Sequence, residues 1–158
     1  YYGHFFYKNP YSNYRLRLDY RFVGEQCKGG QGWATKNSGV MIHSQSPESM
    51  EKDQEFPVSI EVQLLGGIQK PRERPTANLC TPGTHVNIND KLVTTHCISS
   101  SSDTYYGEEW VNLEIEVHND SIIKHYINSK EVFSYSNAII GGQDNTLKTK
   151  EGEKLKGG

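Results

Sequence analysis

Apolar and polar residues alternate with a period of two in several short segments, and this pattern predicts half-buried β-strands. The alternation is clearest at residues 14–22 and 110–118. Further strands are predicted at residues 40–45, 57–64, 84–88, 92–98, 121–128 and 131–135. The two segments 84–88 and 92–98 are expected to form one hairpin around Asn89-Asp90. No segment keeps a 3.6-residue period, so the chain is predicted to be all-β with little helix, as a sandwich or barrel.

The strand at residues 57–64 carries two polar side chains inside an otherwise apolar run. Period two places Ile60, Val62 and Leu64 on one face and Glu61 and Gln63 on the other. A carboxylate beside a carboxamide favours a polar surface that acts on a ligand. The alternative is an ordinary solvated face of an antiparallel sheet.

Composition narrows the class of protein. The 158 residues fit one domain, and we expect residues 1–158 to form a single β-sandwich domain. The 17 Lys and Arg nearly balance the 19 Asp and Glu, so neither nucleic acid nor an acidic membrane surface is a favoured partner. No segment is as apolar and as long as a transmembrane helix requires. Residues 143–158 are rich in Lys, Glu and Gly and predict a loop or a disordered tail.

Three cysteines bear on the cellular compartment. Cys80 and Cys97 flank the predicted hairpin and are the natural disulfide pair, and such a bond would place the protein outside the cytosol. The alternative is three reduced thiols, including Cys27. No C-x-x-C pair is present, so the cysteines have no zinc-ribbon spacing.

Candidate chemistry centres on Glu61, with His43 as its possible neighbour. If the strands at 40–45 and 57–64 are neighbours, His43 lies beside Glu61 and Gln63 on one face, and the Glu61–His43 pair could act as a general base. Arg74 and Arg72 could reach over this face to bind a sugar or carboxylate, or they belong to a solvated loop.

Other candidate motifs are weaker. His85 and His96 lie in the predicted hairpin and could hold a metal, but spacing places no third ligand. The cofactor is therefore left open: a divalent metal could bind, but ligand spacing does not support it. His125 alternates with apolar residues and is expected to pack in the core. No nucleotide-binding or serine-nucleophile motif occurs.

An ordered set of short motifs resembles the 3-keto-disaccharide hydrolase family. The motifs lie at residues 37–43, 47–50, 59–63, 78–84, 110–112 and 125–128. The resemblance covers most of the chain and implies a concanavalin A-like jelly-roll sandwich that binds sugar on its concave face. It also implies a secreted, periplasmic or outer-surface lipoprotein of bacterial type.

The resemblance also implies a chemistry. A ketone at C3 of a glucoside acidifies the C2 proton, so a base can remove that proton while the glycosidic oxygen leaves C1 by elimination. Glu61 and His43 are the candidate bases, although many family members carry arginine at the His43 position. The candidate substrate-binding residues are Asn37, Gln63, Arg74 and Tyr126.

Two features of the family pattern are missing. Members usually begin with a further strand and end with another, and no strand is readable after Ile140. The resemblance therefore implies a trimmed domain, completed by a homo-oligomer or by strands of a larger chain. The expected function is cleavage of 3-keto-glycosides. The alternatives are a lectin-like carbohydrate-binding module that uses Trp33, Tyr105 and Tyr106, and an interaction domain without a ligand.

Overall fold

A computed structural model describes residues 3–158 and shows ten strands along the chain. They are β1 (Asn13–Tyr20), β2 (Asn37–Ile42), β3 (Ile60–Leu65), β4 (Asn78–Cys80), β5 (Thr84–Ile88), β6 (Lys91–Val93), β7 (Cys97–Ile98), β8 (Val111–His118), β9 (Ile122–Ile127) and β10 (Lys130–Ile140). Short 3-10 helices lie at Gly32–Ala34, Pro47–Ser49 and Lys148–Lys150. No helix formed within residues 3–158 is long and apolar enough to cross a membrane.

The strands form two antiparallel sheets that pack against each other. The six-stranded sheet has the order β1-β8-β9-β10-β5-β6, and the four-stranded sheet has the order β2-β3-β4-β7. The prediction of an all-β sandwich is confirmed. Because each sheet has one face toward the core, its strands show the alternating pattern that predicted them.

The core lies between the two sheets and is built from the inward residues of each strand. In β3 these are Ile60, Val62 and Leu64, all buried, while Glu61 and Gln63 point outward and are half-buried. The six-stranded sheet contributes the buried row Val111, Leu113, Ile115 and Val117 of β8. Complete burial of one such aliphatic side chain contributes roughly 1.5–3 kcal/mol, so this alternation fixes which face of β3 remains available for a ligand.

The predicted hairpin at 84–88 and 92–98 is only partly correct. Strand β5 pairs with β6, but β7 belongs to the other sheet and pairs with β4. The chain crosses between the sheets at residues 94–96, and this crossing sets Cys97 directly opposite Cys80, to which it is joined by a disulfide. Cys27 is a free, exposed thiol.

Residues 143–158 lie as a loop along the end of β10. The amide of Leu155 donates to the carbonyl oxygen of Ala138 at 2.8 Å, and the amide of Ile140 donates to the carbonyl oxygen of Glu153 at 2.9 Å. The Leu155 side chain packs against the core. This apolar side chain and the backbone pairing give a mostly polar segment its place on the sandwich.

Candidate functional site

The outer face of the four-stranded sheet carries the polar pair of β3. Strand register places Glu61 between Met41 of β2 and Cys80 of β4, and the next row along is centred on Gln63. Directly paired residues of antiparallel strands project to the same side of the sheet. We call this surface the Glu61 face, defined by Asn37, Gly39, Met41, Glu61, Gln63, Asn78 and Cys80.

The Glu61 carboxyl group is half-buried and has a shifted pKa. Burial raises the pKa of its carboxyl group to about 7. Within residues 3–158 the carboxyl group has no hydrogen-bond or ion-pair partner. A base whose pKa lies near the working pH combines a large unprotonated fraction with a strong drive to accept a proton. A half-buried carboxyl group of this kind is a functional-site candidate.

The neighbours of Glu61 in its row explain the desolvation. Met41 lies on one side, and the Cys80–Cys97 disulfide lies on the other, because Cys97 continues the same row on β7. These side chains present thioether and disulfide sulfur, which are weak hydrogen-bond acceptors. The row therefore offers the carboxylate no strong hydrogen-bond donor in place of the water that it loses on burial. The protonated form of Glu61 is favoured for this reason.

Gly39 makes room for the Glu61 side chain. A Cβ atom built on Gly39 would lie 2.7 Å from Glu61 Cγ and still closer to Oε1. The glycine is within β2 and has no positive φ, so it is required by this close approach and not by the backbone. The carboxyl group thus lies over the neighbouring strand at the position that the missing side chain leaves open.

Gly39→Ala should displace the Glu61 carboxyl group while the fold is retained. The new methyl group occupies the space of Glu61 Cγ, so the carboxyl group moves away from its position, and for a catalytic group a shift of about 1 Å can cost on the order of 100-fold in rate. The measurement is turnover of the substrate proposed below, with circular dichroism as the test of folding. Gly3→Ala is the matched control, because a Cβ atom there meets nothing within 4 Å. Equal turnover by the Gly39 and Gly3 variants would contradict the role of this contact.

Two amides orient the next row of the Glu61 face. Asn78 Nδ2 donates to Gln63 Oε1 at 3.2 Å and to the carbonyl oxygen of Pro75 at 3.0 Å, while Asn78 Oδ1 accepts from the amide of Ser100 at 2.9 Å. Because Oε1 of Gln63 accepts within the protein, its NH₂ group is left to donate to a ligand. Asn78 was not among the residues predicted from sequence. Its signal was its position opposite Gln63, which only the strand register reveals.

His43 does not lie beside Glu61, and this corrects the prediction that they share a face. Strand β2 ends at Ile42, and His43 has a φ of +50°, which turns its ring away from the Glu61 face. The ring is fully buried, and its Nε2–H donates to the carbonyl oxygen of Asn119, in the β8–β9 turn, at 2.9 Å. Burial lowers the pKa of His43. The residue is an inter-sheet contact.

Arg74 is not available to reach over the Glu61 face. Its Nη1 donates to the carbonyl oxygens of Thr35 at 2.6 Å and Gly66 at 2.8 Å, and also to Lys36 at 3.1 Å. Its Nη2 donates to the carbonyl oxygen of Trp33 at 3.3 Å. The guanidinium group therefore holds the loop before β2 against the end of β3.

Tyr126 lies on the opposite side of the sandwich. It pairs with Glu114 and Glu131 in the six-stranded sheet, and its hydroxyl group donates to Glu116 Oε2 at 3.2 Å. The buried neighbours of Tyr126, His125 and Ile127, point to the core, so Tyr126 points away from it. The structure therefore separates Tyr126 from Glu61, whereas it brings Gln63 and Asn37 onto the same face.

Within residues 3–158 the histidines form no recognisable metal centre. His96 Nδ1 lies 3.8 Å from Asp144 Oδ2, and His85 lines the same cavity. In the part of the chain that the structure describes, residues 3–158, no three His, Cys, Asp or Glu side chains are arranged to hold a metal ion. His125 is fully buried between the sheets.

Comparison with known proteins adds one finding to this geometry. A family model described as a 3-keto-alpha-glucoside-1,2-lyase-like domain matches residues 1–154. No curated protein and no solved structure matches the chain significantly. The match spans every strand of both sheets and the whole Glu61 face.

Proposed function

Because the chain belongs to the 3-keto-alpha-glucoside-1,2-lyase-like domain family, we propose that it cleaves 3-keto-α-glucosides with Glu61 as the base. The family supports a carbohydrate-active function, and the properties of Glu61 support proton abstraction as its chemistry. The observation that carries the proposal is the unpaired, half-buried Glu61 carboxyl group, whose pKa burial raises to about 7. Such a group accepts a proton at neutral pH and holds it.

The reaction begins at C2 of the sugar ring. The C3 ketone acidifies the C2–H bond, and the Glu61 carboxylate takes that proton while the bonding electrons pass into the C3 enolate. The enolate electrons then form the C1=C2 bond and expel the glycosidic oxygen from C1. That oxygen takes up a proton from water and leaves as an alcohol, and Glu61 returns the C2 proton to solvent. The product is a 2-hydroxy-3-keto-glucal. Later addition of water across the double bond makes the net change a hydrolysis.

In this proposal Gln63 stabilises the enolate. The NH₂ group of Gln63 donates outward because Asn78 occupies its oxygen. A fixed donor aimed at developing negative charge stabilises the transition state more than the ground state. In the proposed complex the C3 oxygen lies against Gln63 and the C2 proton faces Glu61, two residues apart on the same side of β3.

The experiment is to incubate the protein with methyl 3-keto-α-glucoside. We expect ultraviolet absorbance of the enone product to appear together with methanol, and we expect C2 deuterium exchange in D₂O. Exchange without methanol would keep Glu61 as the base but remove the elimination step. Saturable binding with neither exchange nor product would replace the enzyme with a lectin-like module, an alternative that the half-exposed Trp33 ring favours.

We also propose that the protein is exported. The Cys80–Cys97 disulfide supports this, since such bonds persist in oxidising compartments. Protein taken from the cells that make it, with thiols alkylated at lysis, should contain one reactive thiol, that of Cys27. Three alkylated cysteines would contradict export.

A further inference from the structure

A methionine lies next to Glu61 on the Glu61 face. Strand register pairs Met41 of β2 directly with Glu61 of β3. Directly paired residues of antiparallel strands have Cβ atoms roughly 4.5–5.5 Å apart, so the thioether and the carboxyl group are neighbours. The Met41 side chain is half-buried, and part of it is therefore in contact with solvent. Small solutes can reach this side chain at the edge of the proposed active site.

A buried hydroxyl group contacts the sulfur atom of Met41. The Ser59 hydroxyl group lies 3.3 Å from Met41 Sδ and 3.0 Å from the carbonyl oxygen of Pro57, and it can donate to either atom. Ser59 is fully buried, so its hydroxyl group stays close to the sulfur. A thioether is a weak acceptor, whereas oxidation to a sulfoxide makes the side chain polar. An oxygen atom added to Sδ would therefore find a hydrogen-bond donor already in place.

The groups that face the Glu61 carboxyl group from the neighbouring strands are uncharged. On β2 and β4, which flank β3, the paired residues are Met41 and Cys80, and the row continues to Cys97 through the disulfide. Burial alone raises the pKa of Glu61, and no charged group within residues 3–158 adds to or opposes this effect. A new acceptor beside the protonated carboxyl group therefore acts on it without competition, and such a contact favours the protonated form.

We propose that Met41 is an oxidation site at which hydrogen peroxide lowers the activity of the Glu61 face. The sulfur attacks one peroxide oxygen, the O–O bond breaks, and the other oxygen leaves as water, so the thioether is oxidised to a sulfoxide and the peroxide is reduced. The sulfoxide oxygen accepts from the Ser59 hydroxyl group and from the protonated Glu61 carboxyl group, which then gives up its proton less readily. The loss of turnover rests on the proposed cleavage of 3-keto-α-glucosides, whereas the oxidation and its effect on Glu61 do not.

The chain offers a matched control, because its other methionine, Met50, is also half-buried but lies just after the 3-10 helix Pro47–Ser49, outside both sheets. The test uses Cys27→Ser protein, which lacks the free thiol. Peroxide should lower kcat/KM for methyl 3-keto-α-glucoside by roughly fivefold at pH 7 and hardly at all at pH 9, because the midpoint of the pH profile rises by about one pH unit. Met41→Leu should abolish this response, and Met50→Leu should retain it. A full response in the Met41 variant, or an equal loss at both pH values, would overturn the proposal.

A measurement without substrate separates this inference from the proposed reaction. The carbon-13 signal of the Glu61 carboxyl group, assigned by its absence from Glu61→Gln protein, reports the titration of this group directly. Its midpoint should rise by roughly one pH unit when mass spectrometry shows that Met41 is oxidised, and peroxide should leave it unchanged in Met41→Leu protein. If the protein cleaves no 3-keto-glucoside, this rise still supports the inference. An unchanged midpoint with Met41 oxidised, or a Met41 that stays reduced while Met50 is oxidised, overturns it.

Discussion

Glu61→Gln should slow elimination, lowering kcat/KM for 3-keto-α-glucosides by roughly 10²–10⁴-fold. Glutamine keeps the size and shape of the side chain over Gly39 but cannot accept a proton from C2. The measurement is enone absorbance under identical conditions for both proteins. Glu55→Gln is the matched control, because it makes the same chemical change at an exposed position outside the sheets. Retained activity in the Glu61 variant would contradict the assignment of Glu61 as the base.

The pH dependence of the wild-type enzyme follows from the same group. In the proposed reaction only the carboxylate form of Glu61 removes the C2 proton, and burial raises the pKa of Glu61 to about 7. Therefore kcat/KM should rise with pH and level off above about pH 7, because it reports ionisation of the free enzyme. If kcat/KM instead reached its plateau near pH 4.5, the ordinary pKa of a glutamate, the base would be an exposed carboxylate.

Glu61→Gln should also stabilise the protein in alkaline solution. The pKa of Glu61 is higher in the folded protein than in the unfolded chain, so its contribution to stability is present below about pH 4.5 and is lost as pH rises through about 7. Glutamine carries no such charge. At pH 8 the variant should therefore unfold with a free energy up to about 3 kcal/mol higher, and near pH 4 the difference should vanish. Thermal or urea unfolding at both pH values measures this.

Sequence patterns predict the Glu61 face well because a period of two is a local property. The alternation at 57–64 assigned Glu61 and Gln63 to one face correctly, and it needed only the apolar identity of Ile60, Val62 and Leu64. The alternation through 110–118 likewise matches β8, whose four inward residues are buried.

The same reasoning fails where a contact depends on distant residues or on a single backbone angle. The alternation was extended through His43, but a left-handed φ at that residue ends the strand pattern. Arg74 finds its acceptors 8 to 41 residues away, and no spacing rule identifies a carbonyl oxygen as a partner. Tyr126 has the correct alternation but belongs to the other sheet, and local patterns do not say which sheet a strand joins.

His125, which is buried between the two sheets, is a second residue that makes the stability of the protein depend on pH. Its Nδ1–H donates to the carbonyl oxygen of Ala77 at 2.9 Å, and its Nε2 accepts from the Tyr135 hydroxyl group at 2.9 Å, so the neutral ring is satisfied on both sides. The ring is fully buried. Burial lowers the pKa of His125 to about 4, although the hydrogen bond to Ala77 opposes this.

His125→Leu should destabilise the protein at pH 7 by about 3 kcal/mol. The change leaves the Ala77 carbonyl group and the Tyr135 hydroxyl group buried without this partner, and each such loss costs roughly 1–3 kcal/mol. Urea unfolding measures the difference. His118→Ala is the matched control, since the His118 side chain is 52% exposed and should change stability by less than about 0.5 kcal/mol. A fully stable His125 variant would contradict the bridging role.

The effect of acid on His125 is opposite in sign to the effect on Glu61. The unfolded chain binds a proton at His125 below about pH 6.5, whereas the folded protein binds it only below about 4, so stability falls by about 3 kcal/mol as pH drops across this window. Glu61 gains stability as pH drops from about 7 to 4.5. Between about pH 6.5 and 4.5 the two contributions nearly cancel.

Substituting Glu61 should therefore reveal the pH dependence that His125 contributes to stability. Between pH 6.5 and 4.5 wild-type protein should lose only the stability that the lowered pKa of His43 removes. Glu61→Gln should lose, in addition, about 1.4 kcal/mol per pH unit from His125. His43 adds to this loss, because burial lowers its pKa as well. Adding His125→Leu to the Glu61 variant should flatten the slope to what His43 contributes. A double variant whose stability falls with acid as steeply as that of Glu61→Gln would show that His125 is not the group that titrates. His125 would then not offset the pH dependence that Glu61 contributes to stability.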